Sequence, residues 1–414
     1  MSDLFLFFVG IDLGSEQHQV YILNSEGTRI AERTVEHGGA ALLEFLKGLE
    51  QVTASTAPER VAVAVEAPRG ALVDALLERG YAVFSINPKQ LDRFRDRFSV
   101  AGAKDDRRDA LVLGQSLRTD LARFRRLRPD DPRIVRVREL SRGQEALRED
   151  LRRSANQLWT YLQRYFPALL RFSEAADEAW LWDLLQCCQA LPARAAILGA
   201  DTLAAVLRRH RIRRLSAEQL QQGLRQPLPV APGVAEALAE QVLLLLPRLE
   251  LAHRQQLQAS ARIEQLVEEL TQDENFAEHR SLAILRSLPG VGRVCMAAVL
   301  AEAFTPLVEK DYRALRALAG VAPVTQQSGK TRLVSMRRAC DNRLRQAVFH
   351  AANVHMQKDA RARQIYRRLR QRGNTHARAL RGVADRMLDL LCTLLHHQTL
   401  YDPAKRTRTQ AQVA

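Results

Sequence analysis

The chain opens on an apolar run, LFLFFVGIDLG (4–14), of strand length that stops at Gly14; it reads as a buried strand. QVYILN (19–24) alternates, and TRIAERTVEH (28–37) pairs with it as a hairpin across Asn24–Thr28. Residues 39–50 carry helical apolar spacing. VAVAVEA (61–67) is a second buried strand, followed by a helix over 70–79. YAVFSIN (81–87) is a third, and Pro88 opens another helix. From about residue 130 the pattern turns helical. Positions 140, 144, 147, 151, 154, 158, 161 and 165 step by four and three, a seam of coiled-coil type softened by Gln144 and Ser154. A second long helix is expected from about 248 to 272, its start set by Pro247. Short helices punctuated by Pro192, Gly199, Pro227 and Pro232 fill 173–235. The seam fits helix packing within one chain or dimerisation.

The last third begins near Leu282 with a helix, the turn Pro289-Gly290-Val291-Gly292, and another helix, a helix-hairpin-helix-like signal. Such a turn offers backbone amides of Gly290 and Gly292 at a helix N-terminus, where a phosphate binds well, or it is simply a tight turn between core helices. Helices over 342–370 and 375–397 close the chain. The division expected is 1–128, 129–278, 279–400 and a loose tail at 401–414. Three antiparallel strands, then helix–strand–helix–strand, is the order of a ribonuclease-H-like α/β domain; the rest of the chain reads as a mostly α-helical region.

Charge sharpens the picture. The 414 residues carry 62 Lys and Arg against 47 Asp and Glu, unevenly spread. Residues 1–88 hold six basic and twelve acidic side chains, 89–153 hold nineteen and twelve, and 330–373 hold thirteen and two. One acidic lobe and two basic ones suit a phosphate-rich partner better than a uniformly solvated surface. No apolar run reaches the ~18 residues of a membrane span, and Leu4–Phe8 lacks the flanks of a signal peptide. The expectation is a soluble, cytoplasmic, nucleoid-associated protein. The five cysteines show no spacing for disulfides or zinc.

Candidate chemistry lies in acids at strand ends. Asp12 closes the first strand and Glu66 the second buried one; in a ribonuclease-H-like sheet these strands are neighbours. KDDRRDA (104–110) adds Asp106 and Asp109, i and i+3 on a predicted helix. Asp105 and Asp109 share a face equally well, so spacing does not choose between Asp105 and Asp106. Carboxylates gathered at one point repel unless cations join them, and hard oxygens suit Mg²⁺, which assists phosphoryl transfer.

GIDLG, VEAPRG, the K-x-D-R-x-D-A pattern at 104–110, LPGVG and GVAPVTQQSGKTR (320–332) together resemble the DEDD transposases of the insertion-sequence one-ten family, relatives of the Piv-type invertases. The resemblance covers roughly 5–120 and 280–395. It implies a RuvC-like acidic domain with Asp12, Glu66, Asp106 and Asp109 holding Mg²⁺; Asp105 departs from the small or polar residue usual there. It also singles out Ser328 as the nucleophile that attacks DNA, where the residues alone would leave a turn serine no better placed than Thr325, Thr331 or Ser335. Lys330, Arg332, Arg337 and Arg338, with Arg343 and Arg345 beyond them, would hold the nucleic-acid backbone. The implied reaction is strand exchange through a covalent protein–DNA link. The implied partners are element ends and target DNA, an element-encoded structured guide RNA, and further copies of the chain in a dimer or tetramer.

Three other classes remain in view. A junction nuclease would use the four acids and water, leaving Ser328 dispensable. An actin-like ATPase would share GIDLG but needs a second phosphate loop that the sequence lacks. A binding module without catalysis would have no use for four acids.

Overall fold

The computed structural model describes residues 4–54, 56–86, 88–95, 106–226, 230–231, 233–329 and 331–404. Lys104, Asp105, Lys330 and the tail from 405 onward lie outside the described residues. Two compact units are present, Met1–Asp131 and Pro132–Ala414.

The first unit is α/β. Strands β1 (Phe7–Leu13), β2 (Gln17–Asn24) and β3 (Arg29–Glu36) form an antiparallel meander, and α1 (Gly39–Val52) returns to β4 (Val61–Val65). Helix α2 (Ala71–Glu78), β5 (Ala82–Ser85), α3 (Pro88–Arg95), α4 (Asp106–Asp120) and the two-residue β6 (Arg125–Arg126) complete it. The sheet order is β3-β2-β1-β4-β5-β6, with β4 parallel to β1 and β5. All five residues of β4 are buried, as a central strand covered on both faces requires.

The pleat sorts the sheet's side chains. Val9, Ile11, Val63 and Val65 face α1 and α2, packing on Phe45, Leu46, Leu72 and Leu76. Phe8, Ala62, Ala64 and Phe84 face the other way, onto Leu113 and Leu117 of α4. Small residues let α4 lie close: a Cβ on Gly10 would stand 1.9 Å from the Ala110 carbonyl oxygen and 2.5 Å from the Gly114 nitrogen. Strand and helix backbones touch, which only glycine at position 10 allows.

The second unit is helical apart from one hairpin. Helix α5 (Pro132–Tyr165) leads to five short helices: α6 (Pro167–Leu170), α7 (Ala179–Cys187), α8 (Pro192–Ala196), α9 (Ala200–Arg209) and α10 (Ala217–Leu224). Then α11 (Val234–Gln272) runs back antiparallel to α5. At one end of the pair Leu151, Leu158, Leu162 and Tyr165 meet Val242, Leu245 and Leu249, with Trp180 and Trp182 from α7. At the other end Ile134 and Val137 meet Ile263, Leu266 and Leu270. The α5 seam therefore has its apolar partners within the same chain.

Around that second core pack α12 (His279–Ser287), α13 (Arg293–Val308), α14 (Tyr312–Leu318), the hairpin β7 (Pro323–Ser328) and β8 (Thr331–Met336), α15 (Asn342–Lys358), α16 (Ala360–Gln371) and α17 (His376–His397). Among the described residues no helix is long and apolar enough to cross a membrane.

Two expectations are corrected, and one element was not foreseen. Pro247 does not begin a helix; α11 starts at Val234 and runs through it. Proline removes one backbone donor and leaves the Leu243 carbonyl without its helical partner; Leu243 is 37% exposed, so water can serve it. The expected helix at 342–370 is two helices: the Asp359 carboxylate accepts the Ala362 amide at 2.6 Å and caps α16. The hairpin at 323–336 has no signature in the sequence, because ten of its twelve strand residues are exposed and no buried face imprints an alternation.

Candidate nucleic-acid site

The acids of the first unit are arranged by the sheet. Ile11 pairs with Val65, so one further step along the parallel strands sets Asp12 beside Glu66. Alternation places both on the face covered by α4, since Phe8, Ala62 and Ala64 already point there. Helix α4 runs antiparallel to β1: its later residues Leu113 and Leu117 lie over Phe8, and Ala110 lies over Gly10. Its first turn, carrying Asp106 and Asp109, therefore lies toward the Asp12 end of the strand.

The two helix acids differ. Asp106 is exposed. Asp109 is 2% exposed and bound by a side chain that sequence reading missed. Arg95, the last residue of α3, donates from Nε to Oδ1 at 2.5 Å and from Nη2 to Oδ2 at 2.7 Å. Burial opposes the guanidinium's charge. The hydrogen bond to Asp109 and the fields of Asp109, Asp92 and Glu66 outweigh that, holding Arg95 above its ordinary pKa. A cation is thus already seated among these carboxylates. No three acidic, histidine or cysteine side chains among the described residues are grouped closely enough to hold a metal ion.

In the second unit Ser328 is the last residue of β7. It pairs across the hairpin with Thr331, and Gly329 takes φ +54° in the turn. This left-handed turn suits a two-residue hairpin loop and puts an exposed hydroxyl at the tip of a ribbon. Thr325 pairs with Val334 and Val324 with Ser335, further down the ribbon, so of the serines and threonines weighed from the sequence only Ser328 and Thr331 flank the turn.

The basic residues divide. Arg332 and Arg338 are exposed. Arg337 is half-buried, with Nε lacking a hydrogen-bond partner. Arg345 donates to the Cys340 sulfur at 3.6 Å, and Arg343 lies 3.9 Å from Glu302. Gly290 has φ +95°, and a Cβ there would stand 2.2 Å from the Ala351 carbonyl oxygen; that close approach of α15 alone requires glycine. Gly292 is exposed, with open space where a Cβ would be.

The family model of the IS110 DEDD transposases matches residues 9–167, and that of the IS116/IS110/IS902 transposase family matches residues 282–367. The "Mini-circle putative transposase for IS117" of Streptomyces coelicolor is 32% identical over 430 aligned residues, covering 100% of this chain and 99% of the relative. The chain belongs to the IS110 family of transposases. A shorter match, 43% identical over 217 residues, is to the "Putative transposase y4uE" of Sinorhizobium fredii, covering 52% of this chain and 60% of that one. The IS110 element's 43.6 kDa protein from Streptomyces coelicolor is 25% identical across 95% of each chain. Membership of this transposase family makes DNA the partner and its cutting the activity.

Beyond Arg95, a second feature of this IS110-family chain escaped residue-by-residue selection. Arg361, Arg363, Arg367, Arg368, Arg370 and Arg372, on α16 and at its end, are all exposed. The signal was present as the charge of 330–373, but the motif drew attention to its first third.

Proposed function

We propose that the chain exchanges DNA strands through a serine ester, with a divalent-metal site in a ribonuclease-H-like first unit. The observation that carries this reading is the register that sets Asp12 beside Glu66, on the sheet face covered by the helix that begins with Asp106 and Asp109. The strand order through β5, 3-2-1-4-5, supports the fold assignment.

The residues fit Mg²⁺ by their chemistry. Carboxylate oxygens are its donor class, and the guanidinium of Arg95 already answers the negative charge there. Asp12, Glu66, Asp106 and Asp109 would hold the ion; when bound it polarises a phosphate oxygen and stabilises the leaving oxygen. The chain's own part is nucleophilic. Ser328 Oγ forms a bond to phosphorus, its proton passes to solvent or a nearby base, and the bond from phosphorus to the leaving deoxyribose oxygen breaks. The serine phosphodiester that results keeps the energy of the broken bond. Attack by another strand's hydroxyl then releases Ser328 and joins new ends without ATP.

Lys330, Arg332, Arg337, Arg338, Arg343 and Arg345, with the α16 arginines, supply cationic groups for a phosphate backbone. The excess of cations is also what a structured guide RNA encoded by the element would need. Strand exchange between two duplexes calls for more than one active site, so a homo-oligomer is part of this reading.

The test is cleavage of element-end DNA with Mg²⁺. Asp12→Asn or Asp109→Asn should abolish cleavage while DNA binding survives, and calorimetric Mg²⁺ uptake should weaken. Full cleavage by either variant would reject the metal site.

A further inference from the structure

A cavity of about 320 Å³ opens in the second unit between α5, α11, α13 and α15, with no residue of the Ser328 hairpin in its lining. Its floor is apolar: Ile263, Cys295, Ala298 and Ala347 are all buried. Its charged lining is cationic by one, with three arginines, Arg148, Arg293 and Arg343, against two glutamates, Glu145 and Glu264, beside neutral polar groups such as Gln144 and Ser260. Both glutamates are already engaged, Glu145 by Arg148 at 2.7 Å and Glu264 by Arg293 at 3.0 Å.

Arg343 is different. Its side chain is 18% exposed, its Nη1 is buried without a hydrogen-bond partner, and the nearest carboxylate, Glu302, is 3.9 Å away. That N–H is closed to any ligand in the cavity, but with Glu302 no nearer than 3.9 Å the exposed part of the guanidinium is left for one, and a phosphate oxygen is the acceptor it matches best. The volume lies at the lower end of the roughly 300–1,000 Å³ typical of ligand pockets, suited to one nucleotide and far too small for a duplex.

We propose that this cavity takes one unpaired nucleotide extruded from the nucleic-acid partner, its base on the Ile263–Cys295–Ala298–Ala347 floor and its phosphate on Arg343. The proposal rests on the nucleic-acid reading above and adds where an unstacked base goes. Strand exchange and single-stranded RNA segments both present such bases, and proteins read them by apolar pockets and guanidinium planes rather than through a groove.

The full chain is mixed, in EDTA, with oligo(dT) or oligo(U) carrying one central 2-aminopurine. Anisotropy of an end label reports binding, and 2-aminopurine fluorescence reports unstacking. Binding should raise the fluorescence. Arg343→Gln should weaken the concentration dependence of that rise about tenfold, as loss of a charge-assisted hydrogen bond does. Val294→Trp, at a cavity-lining position that is 73% exposed, should abolish the rise without touching the core. A rise with the ribose strand alone assigns the site to RNA, and with the deoxyribose strand alone to DNA. Anisotropy change without any rise, or a full rise in both variants, overturns the pocket and leaves strand exchange standing. No anisotropy change with either strand overturns the pocket and the nucleic-acid reading together.

Discussion

Arg95 grips Asp109 with both sides of its guanidinium, at 2.5 and 2.7 Å, and Asp109 is buried beneath it. Removing the arginine would strand a carboxylate in the interior. A fully buried pair broken this way costs about 3–5 kcal/mol; with Arg95 a quarter exposed, about 2 kcal/mol is expected for Arg95→Ala. The denaturation midpoint should fall in EDTA and recover in part with Mg²⁺, which would supply the missing positive charge. An equal loss with and without Mg²⁺ would mean that the ion does not reach Asp109.

The close packing of β1 on α4 gives a second expectation. Gly10→Ala places a methyl 1.9 Å from the Ala110 carbonyl oxygen, so α4 must shift off the sheet. Overpacking of this severity costs about 3 kcal/mol or more. Because α4 carries Asp106 and Asp109, any folded Gly10→Ala protein should also lose cleavage. Chemical denaturation and a cleavage assay on the soluble fraction measure both.

Much of this was legible in the sequence, for identifiable reasons. Val61–Val65 is uniformly apolar because it is central and covered twice, and a strand of that kind announces itself. The β1–β4 adjacency follows from element order, and with it the placing of Asp12 next to Glu66. Arg95 was invisible because its partner lies fourteen residues on and belongs to another helix. The β7–β8 hairpin was invisible because a ribbon exposed on both faces has no periodicity to read. Pro247 reads as a helix start because proline suits a first turn, whereas the apolar spacing of Leu238, Val242, Leu245 and Leu249 carries the helix across it.

A pH dependence of stability is expected from His18. It is 2% exposed on β2, with Nε2 3.0 Å from His37 Nδ1. Burial, and then the neighbouring His37, lower its pKa. The unfolded chain takes up a proton near pH 6.5 while the folded chain resists, so the contribution is complete above that pH and is lost as pH falls below it. Melting temperature should hold between pH 7 and 8 and decline toward pH 5. His18→Leu should flatten that decline; an unchanged profile would assign the acid sensitivity to other groups.

The basic surface makes a prediction about salt. Alanine at Arg337, Arg338, Arg343 and Arg345 should weaken binding to unrelated sequences alike. It should lower the slope of log affinity against log salt by about 0.9 for each phosphate that is no longer neutralised on duplex DNA. A matching set on α16, Arg361, Arg363, Arg367 and Arg368, tests whether that helix shares the load. A slope unchanged in both sets would place the binding surface elsewhere.

The proposed bond between Ser328 and DNA can be trapped. Nicked element-end DNA carrying a label is incubated with the chain and Mg²⁺, denatured, and examined for labelled protein, with the adduct mapped by mass. A serine phosphodiester at Ser328 is expected, lost together with recombination in Ser328→Ala. An adduct at Thr331 would keep the chemistry and move it across the turn. Efficient cleavage by Ser328→Ala with no adduct would rule out the serine ester and leave a nuclease that uses water.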